Sequence, residues 1–415
     1  MTINIRYLIW YIAGLVTICV FVLFSGKLES YRTYHGDETY WIRGGQWTFQ
    51  KMFVEKIYSS ELWVEEYRRH FGSFGPATPN AAKLMIGAAL YLHGHTTVPL
   101  PITWNWSESF QENIKKGNAV PVAELVVARQ VIVLVTALAA GFLFIIGFHL
   151  PTANHQYSWI TALLVVGIFL SHDLVGVLGK QAMLDMPIVL FSMIAIYAIW
   201  RGATTTSTTT SDTLKWGIIS GLCGGIAISV KLNAGLLLIS LLAIGLINIY
   251  YSRSQQSMFL LLPIVLIPPV VFFLLNPQLW SDISAGIRMM IEHSNIIAAR
   301  RDRFTEAALW TIGDKVGAFQ NRVFGDSFNG ILFLIGFYLL LKHWRQTYPL
   351  IVYGVITMAG IIVWTPLNWD RYYLPAVPFY AISFGYLVGK VLEATSILTA
   401  REDLFLKIQS DRIDK

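Results

Sequence analysis

The sequence predicts an all-α integral membrane protein of about ten spans, and three observations carry that prediction. Of 415 residues, 55% are hydrophobic and only 13% are charged, whereas an average soluble domain is about 25% charged. The mean hydropathy is +0.54. Ten separate runs approach the roughly 20 mostly apolar residues that a helix needs to cross a bilayer. This composition excludes a disordered chain or a coiled coil, and it excludes nucleic-acid binding despite a net charge of +6. The two cysteines, Cys19 and Cys223, lie in apolar runs, so neither a disulfide nor a zinc framework is expected. Aromatic residues make up 14%, with 14 Trp, which suits belts at membrane–water interfaces.

The expected spans are Tyr7–Phe24, Val122–Phe148, Tyr157–Leu170, Met186–Trp200, Trp216–Val230, Leu232–Tyr250, Met258–Leu275, Gly330–Leu341, Tyr348–Trp364 and Tyr372–Val391. The first is longer than the apolar core of a signal peptide and has no A-x-A cleavage site, so it reads as a retained anchor. With the N-terminus cytoplasmic, the short inside loops carry Arg201, Lys215, Arg253, Lys342 and Arg345, and the tail adds Lys390, Arg401, Lys407, Arg412 and Lys415. The short outside connections hold only Lys180, Lys231 and Arg371, the bias that cytoplasmic loops follow. A transmembrane domain over residues 1–391 and a cytoplasmic tail over 392–415 follow, with no soluble domain expected after the last span.

Two long segments then fall outside, residues 25–121 and 276–329. The first is too long for a structureless connection. Within it, Gln46–Tyr58 alternates Trp47, Phe49, Phe53, Val54 and Ile57 with Gln50, Lys51, Glu55 and Lys56, the pattern of a helix lying along the interface. Ile283–Arg303 reads the same way. Thr204–Ser211 is a low-complexity linker. The halves of the chain show no internal repeat.

Charges at membrane depth are costly and mark functional candidates. Asp37 and Glu38 follow the first span. Lys180 and Asp185 precede the fourth. Lys231 interrupts two apolar runs that together reach from Trp216 to Tyr250, and Asp370 and Arg371 precede the last span. A charge at a helix end is often only an interfacial anchor, and Asp185 alone would serve as an N-cap. All four positions map to the same side, however, and a single external cavity holding acids and fixed cations accounts for that coincidence.

The order of these features resembles the protein O-mannosyltransferase family (glycosyltransferase family 39) and its membrane relatives, including the lipid A aminoarabinose transferases, which share the GT-C fold. Asp37-Glu38 is similar to the family's acid pair in the first external loop. Pro79-Asn80-Ala81-Ala82-Lys83-Leu84-Met85-Ile86-Gly87 resembles its "HPPLGKLLIG" element, with Asn80 in place of the second proline. Leu184-Asp185 resembles the Leu-Asp before the fourth span, and Gly221–Lys231 the Gly-rich helix ending in Lys. Arg371-Tyr372 with Pro375 and Pro378 resembles the late "RY…P…P" element, and Asn276-Pro277-Gln278-Leu279-Trp280 an Asn-Pro-x-Leu-Trp after a middle span.

The resemblance implies a GT-C-like bundle that transfers a sugar from a polyprenyl-phosphate donor to an acceptor hydroxyl on protein, lipid or glycan, with inversion. The charge bias puts the site on the outer face, and the compact chain favours a bacterial cell membrane over a eukaryotic lumenal face. The resemblance makes Asp37 the general base and Glu38 a group that orients substrate or pairs with a cation; the reverse assignment of the two stays open. Lys231 and Arg371, with Lys83 behind them, are expected at the donor phosphate, and Asp185, Lys180 and Tyr372 at the substrate. No cofactor is required, although several carboxylates could hold a divalent cation. A secondary transporter or flippase is the rival reading. It would place charges at the midplane and repeat its halves, and only Pro268-Pro269 in the seventh span favours it.

Overall fold

A computed structural model describes residues 5–30, 33–56, 78–98, 104–152, 155–204, 209–252, 256–280, 282–299 and 304–413. Among these the chain is helical, apart from a single antiparallel bridge between Ala308 and Leu367. The helices are α1 (Ile5–Phe24), α2 (Gly36–Phe49), α3 (Ala81–Leu92), α4 (Phe110–Lys115), α5 (Val122–Phe148), α6 (His155–Ser171), α7 (Asp173–Leu178) and α8 (Asp185–Thr204). They continue with α9 (Thr210–Val230), α10 (Gly235–Ser252), α11 (Gln256–Leu275), α12 (Ile283–Ala299), α13 (Ile312–Phe319), α14 (Ser327–Lys342), α15 (Trp344–Trp364) and α16 (Val377–Ile413).

Every expected span is helical, but the count changes. Among the described residues, seven helices are long and apolar enough to cross a membrane, or eight if the pair Ile312–Phe324 and Ser327–Lys342, bent by 83°, forms one span. The remaining two expected spans are shorter apolar helices, Leu8–Phe24 and His155–Ser171. At 1.5 Å per residue the 17 residues of α6 rise only about 25 Å, less than the roughly 30 Å hydrocarbon core, whereas the full α1, Ile5–Phe24, has 20 residues.

The expected interfacial helix at Gln46–Tyr58 is instead the end of α2, which starts ten residues earlier at Gly36 and continues as one π-helical turn, Gln50–Val54. Its Trp47 and Thr48 are buried, while Phe53 and Val54 face outward; residues 57–58 lie outside the described ones. Ile283–Arg303 forms α12 as far as Ala299, and residues 300–303 are outside the description. So are 205–208 of the Thr/Ser linker and residue 60 of the first loop.

The bundle is centred on α5, which packs on α1, α6 and α8, and on α9, which lies between α8 and α11. The α9–α11 contact is set by glycines four apart. A Cβ on Gly221 would stand 2.6 Å from the Pro263 carbonyl oxygen, and one on Gly225 3.0 Å from the Pro268 Cα. Small residues at this spacing let helix backbones approach where lipid offers no hydrophobic drive. Pro263 and Pro268 lie within the continuous helix α11 and form the surface that those glycines meet. The other end of α9 is where Lys231 stands. Its backbone turns extended (φ −162°, ψ 139°), which ends the helix and separates it from α10.

Candidate active site

The N-terminus of α2 aims two adjacent carboxylates in different directions. His35 caps the helix: its ring Nδ1 accepts from the Asp37 N–H at 3.2 Å, and the His35 N–H donates to Glu38 Oε2 at 2.9 Å. Successive helical residues are about 100° apart, so Asp37 faces one way and Glu38 another. Both acids sit in the first turn, where the helix dipole favours negative charge.

Glu38 points into the protein and is fully buried. Arg129 of α5 grips its carboxylate with two parallel bonds, Nε to Oε1 and Nη2 to Oε2, each 2.8 Å. The Ala182 N–H donates to Oε1 at 2.8 Å. The remaining Arg129 nitrogen, Nη1, donates to the Leu28 and Ser30 carbonyls, both at 2.9 Å. One ion pair therefore ties together the segment after α1, the start of α2, the middle of the bundle and the loop before α8. Of the two roles open to Glu38, pairing with a cation is the one its contacts describe. Sequence reasoning passed over Arg129, although a cation inside an apolar span was the available signal. Arg43 was also passed over; its guanidinium pairs with Glu124 of α5 and donates to Gln46 at 3.0 Å, and in its polar stretch of the first loop no comparable signal marks it.

Asp37 faces the other cluster. Arg371 Nη1 forms an ion pair with Asp37 Oδ2, and His35 Nδ1 lies 3.7 Å from the same oxygen. Arg371 stands in a 3₁₀ turn, Asp370–Tyr372, with its guanidinium 4.6 Å from the Trp369 ring centre and 5.9 Å from that of Tyr372. Lys231 Nζ lies 5.4 Å from the same Tyr372 ring centre and donates to Asp185 Oδ1 at 2.8 Å. Asp185 is 1% exposed, at the start of α8, where the helix dipole again favours an acid. The chain of contacts thus runs acid, Arg, Tyr, Lys, acid, built from four segments that are remote in sequence. Lys231 and Arg371 both keep partly exposed side chains, so each has room to meet a ligand.

Lys83 and Lys180 do not join this chain. Lys83 is fully buried on α3, where its Nζ donates to the Thr78 carbonyl at 2.9 Å and to Asn80 Oδ1 at 3.0 Å. Burial pushes its ammonium down to about 7. It reaches that depth because α3 packs on α2 through glycines; a Cβ on Gly45 would stand 2.6 Å from the Lys83 carbonyl oxygen. Two sequence elements that resembled the family meet here. The Asn80 N–H donates to Asn276 Oδ1 at 3.1 Å, and Asn80 Nδ2 donates to Gln278 Oε1 at 2.8 Å. Lys180 lies 4.9 Å over the Phe24 ring at the end of α1. Asp370 faces away from Arg371 and pairs with Arg322 at 2.6 Å, while Arg322 Nε donates to Asn368 Oδ1 at 3.2 Å. Arg322 was not singled out in the sequence, where it lies in an ordinary polar turn.

Among the described residues, no group of three or more His, Cys, Asp or Glu could hold a metal ion. Asp37 and Asp185 each face a cation, and both cations are the kind that bind phosphate: Arg by two parallel hydrogen bonds, Lys as a point charge.

Comparison with known proteins gives the setting for this geometry. No curated protein matches the sequence. Among solved structures, the fold resembles ArnT from Cupriavidus metallidurans, crystallised bound to undecaprenyl phosphate, with a TM-score of 0.53 at 12% identity over 94% of this chain and 63% of that one. It also resembles the archaeal oligosaccharyltransferase AglB from Archaeoglobus fulgidus, in complex with an inhibitory peptide and a dolichol-phosphate, with a TM-score of 0.52 at 12% identity over 95% of this chain and 51% of that one. The chain spans less than two thirds of either, and at this identity the likeness is one of fold. Residues 64–276, half of the sequence, match the dolichyl-phosphate-mannose-protein mannosyltransferase family. By that match, the chain belongs to the dolichyl-phosphate-mannose-protein mannosyltransferase family.

Proposed function

We propose that the protein is a membrane glycosyltransferase that moves a sugar from a polyprenyl-phosphate carrier to an acceptor hydroxyl at the outer face of the membrane, with inversion at the anomeric carbon. The observation that carries this reading is the alternation of acid and phosphate-binding cation from Asp37 through Arg371, Tyr372 and Lys231 to Asp185. Family membership and a fold shared with proteins solved in complex with polyprenyl phosphates support it.

In this reading the acceptor oxygen attacks the anomeric carbon from the face opposite the phosphate. The bond between that carbon and the phosphate oxygen breaks, its electron pair stays on the phosphate, and the carrier leaves as a phosphomonoester. Asp37 takes the hydroxyl proton. A positioned base contributes about 10²–10⁴-fold, and preorganised cations stabilise the charge that develops on the leaving group. Arg371 and Lys231 supply that charge. In the free protein each is held by a carboxylate, Arg371 by Asp37 and Lys231 by Asp185, which keeps both cations in place without a ligand. When the donor phosphate draws Arg371 toward itself, an oxygen of Asp37 is released to face the acceptor. Lys83 acts at a remove, through the Asn80 and Asn276 framework.

The test is chemical. Purified protein incubated with a labelled polyprenyl-phosphate sugar and a hydroxyl acceptor should release polyprenyl phosphate as the labelled sugar appears on the acceptor. Movement of the intact lipid-linked sugar across a vesicle membrane without release would instead favour a flippase.

A further inference from the structure

A cleft that reaches Asp370 but is lined by none of Asp37, Asp185, Lys231, Arg371 and Tyr372 lies outside the cluster described above. Its volume is about 760 Å³, and α6, α7, the turn Gln320–Phe324 and α16 line it. One end is apolar, with Leu163, Leu164 and Ile168 from α6 facing Phe384 of α16. The other end is polar, with His172, Asp173, Asn321, Arg322, Asn329 and Asp370. An apolar trough that ends in a polar rim, at the end of helices in a bilayer, matches a lipid's chain and headgroup. The size also falls within the ordinary range of ligand sites, roughly 300–1,000 Å³.

Gly167 adds an independent observation. It lies inside α6, where glycine is unfavourable relative to alanine and usually has a packing or functional reason. A Cβ built on it meets no atom within 4 Å, as at Gly14, Gly176 and Gly317 in other helices, and at Gly167 the open space is the cleft that it lines. The glycines of α16 behave differently: a Cβ on Gly385 would press on Val165 of α6 at 2.7 Å. Those glycines bring the two helices together, whereas Gly167 keeps the floor of the cleft open.

The charge at the rim selects the headgroup. Arg322 contributes one positive charge but is engaged by Asp370 and Asn368. Asp173 is exposed and forms no salt bridge among the described residues. The His172 ring is occupied by the Val323 carbonyl and the Leu174 N–H. Two acids against one cation leave the rim net negative, which favours an ammonium and disfavours a plain anion. The Asn321 amide offers a donor for a phosphate, while the Asn329 amide already donates to Asp326 at 3.2 Å. We propose that this cleft binds a zwitterionic aminophospholipid, with one chain along the Gly167 face of α6 and the primary amine at Asp173.

The experiment is native mass spectrometry of the purified full chain, delipidated and then loaded with equal amounts of phosphatidylethanolamine, phosphatidylcholine and phosphatidylglycerol. The parent protein should retain phosphatidylethanolamine over both others. Asp173→Asn should reduce that preference about threefold to fivefold, the contribution of an exposed ion pair, without loss of total lipid. Gly167→Leu should remove the retained lipid while the unfolding temperature stays near that of the parent. Gly167→Ser, small enough to fold in the same helix, should give a partial loss. Equal retention of the three lipids by the parent, or an unchanged preference in Asp173→Asn, would overturn the proposal. Because the readout is binding, a failure of sugar transfer would not affect it.

Discussion

Arg371 and Asp37 stand 334 residues apart in the sequence and face each other across one ion pair. Their neighbours turn the other way, Asp370 to Arg322 and Glu38 to Arg129. Each dipeptide therefore divides its labour: one residue enters the shared cluster and the other fastens the segment that carries it. The position of Asp37 depends on these two ties, one of them fully buried.

Asp37→Asn keeps the size and hydrogen-bonding shape of the side chain but cannot take a proton. Transfer should fall by about 10²-fold or more with donor binding largely kept. Pre-steady-state transfer should be measured, because slow product release can mask a chemical defect in steady-state rates. Transfer at the parent rate would remove Asp37 from the role of base.

Glu38→Gln should act on folding rather than on chemistry alone. It leaves the Arg129 guanidinium buried without a counter-charge, and breaking one side of a buried pair costs about 3–5 kcal/mol. A marked drop in the thermal unfolding midpoint in detergent is expected, and Arg129→Gln should produce a similar drop. A stable but inactive Glu38→Gln protein would return Glu38 to the catalytic group.

Lys231→Met alone would strand the buried Asp185 carboxylate, so the informative variant is the double change Lys231→Met with Asp185→Asn. If Lys231 binds the donor phosphate, affinity for the polyprenyl-phosphate sugar should fall about tenfold to a hundredfold, the worth of a hydrogen bond to a charged group. Unchanged affinity would leave Lys231 as a helix-end anchor.

Lys83 gives the protein a pH dependence with a definite sign. Burial lowers its folded-state value from 10.5 to about 7. Between those values the unfolded chain holds more protons than the folded one, so this residue makes stability rise with pH across that window. Below about 7 the folded protein carries the buried charge at a cost. Unfolding midpoints recorded from pH 7 to 10 should climb less steeply in Lys83→Met than in the parent, and parallel curves would rule the ammonium out as the source.

The expected topology is open to cysteine labelling. With both termini cytoplasmic, an impermeant reagent added to intact cells should label Ser107→Cys in the first external loop and leave Ser211→Cys untouched until the cells are opened. External labelling at position 211 would reverse the orientation.

The sequence by itself determined the helical membrane class, the ten helical segments and the ends of helices where charge collects, because each of these is a local property. Hydrophobic run length marks a span, and a lone Lys231 between two apolar runs marks a break. Gly221 and Gly225 were legible as part of a Gly-rich helix, though not as the surface that meets Pro263 and Pro268. What only the tertiary structure decided is partnership. Asp37 and Glu38 are indistinguishable in sequence, and their different fates follow from the roughly 100° between successive helical residues, which sends one to Arg371 and the other to Arg129. Lys83 and Lys231 read alike as cations in apolar surroundings, yet one is sealed behind Asn80 and the other stays partly open beside Tyr372. Burial and pairing depend on which helices pack side by side, and that is settled by contacts between residues distant in the chain.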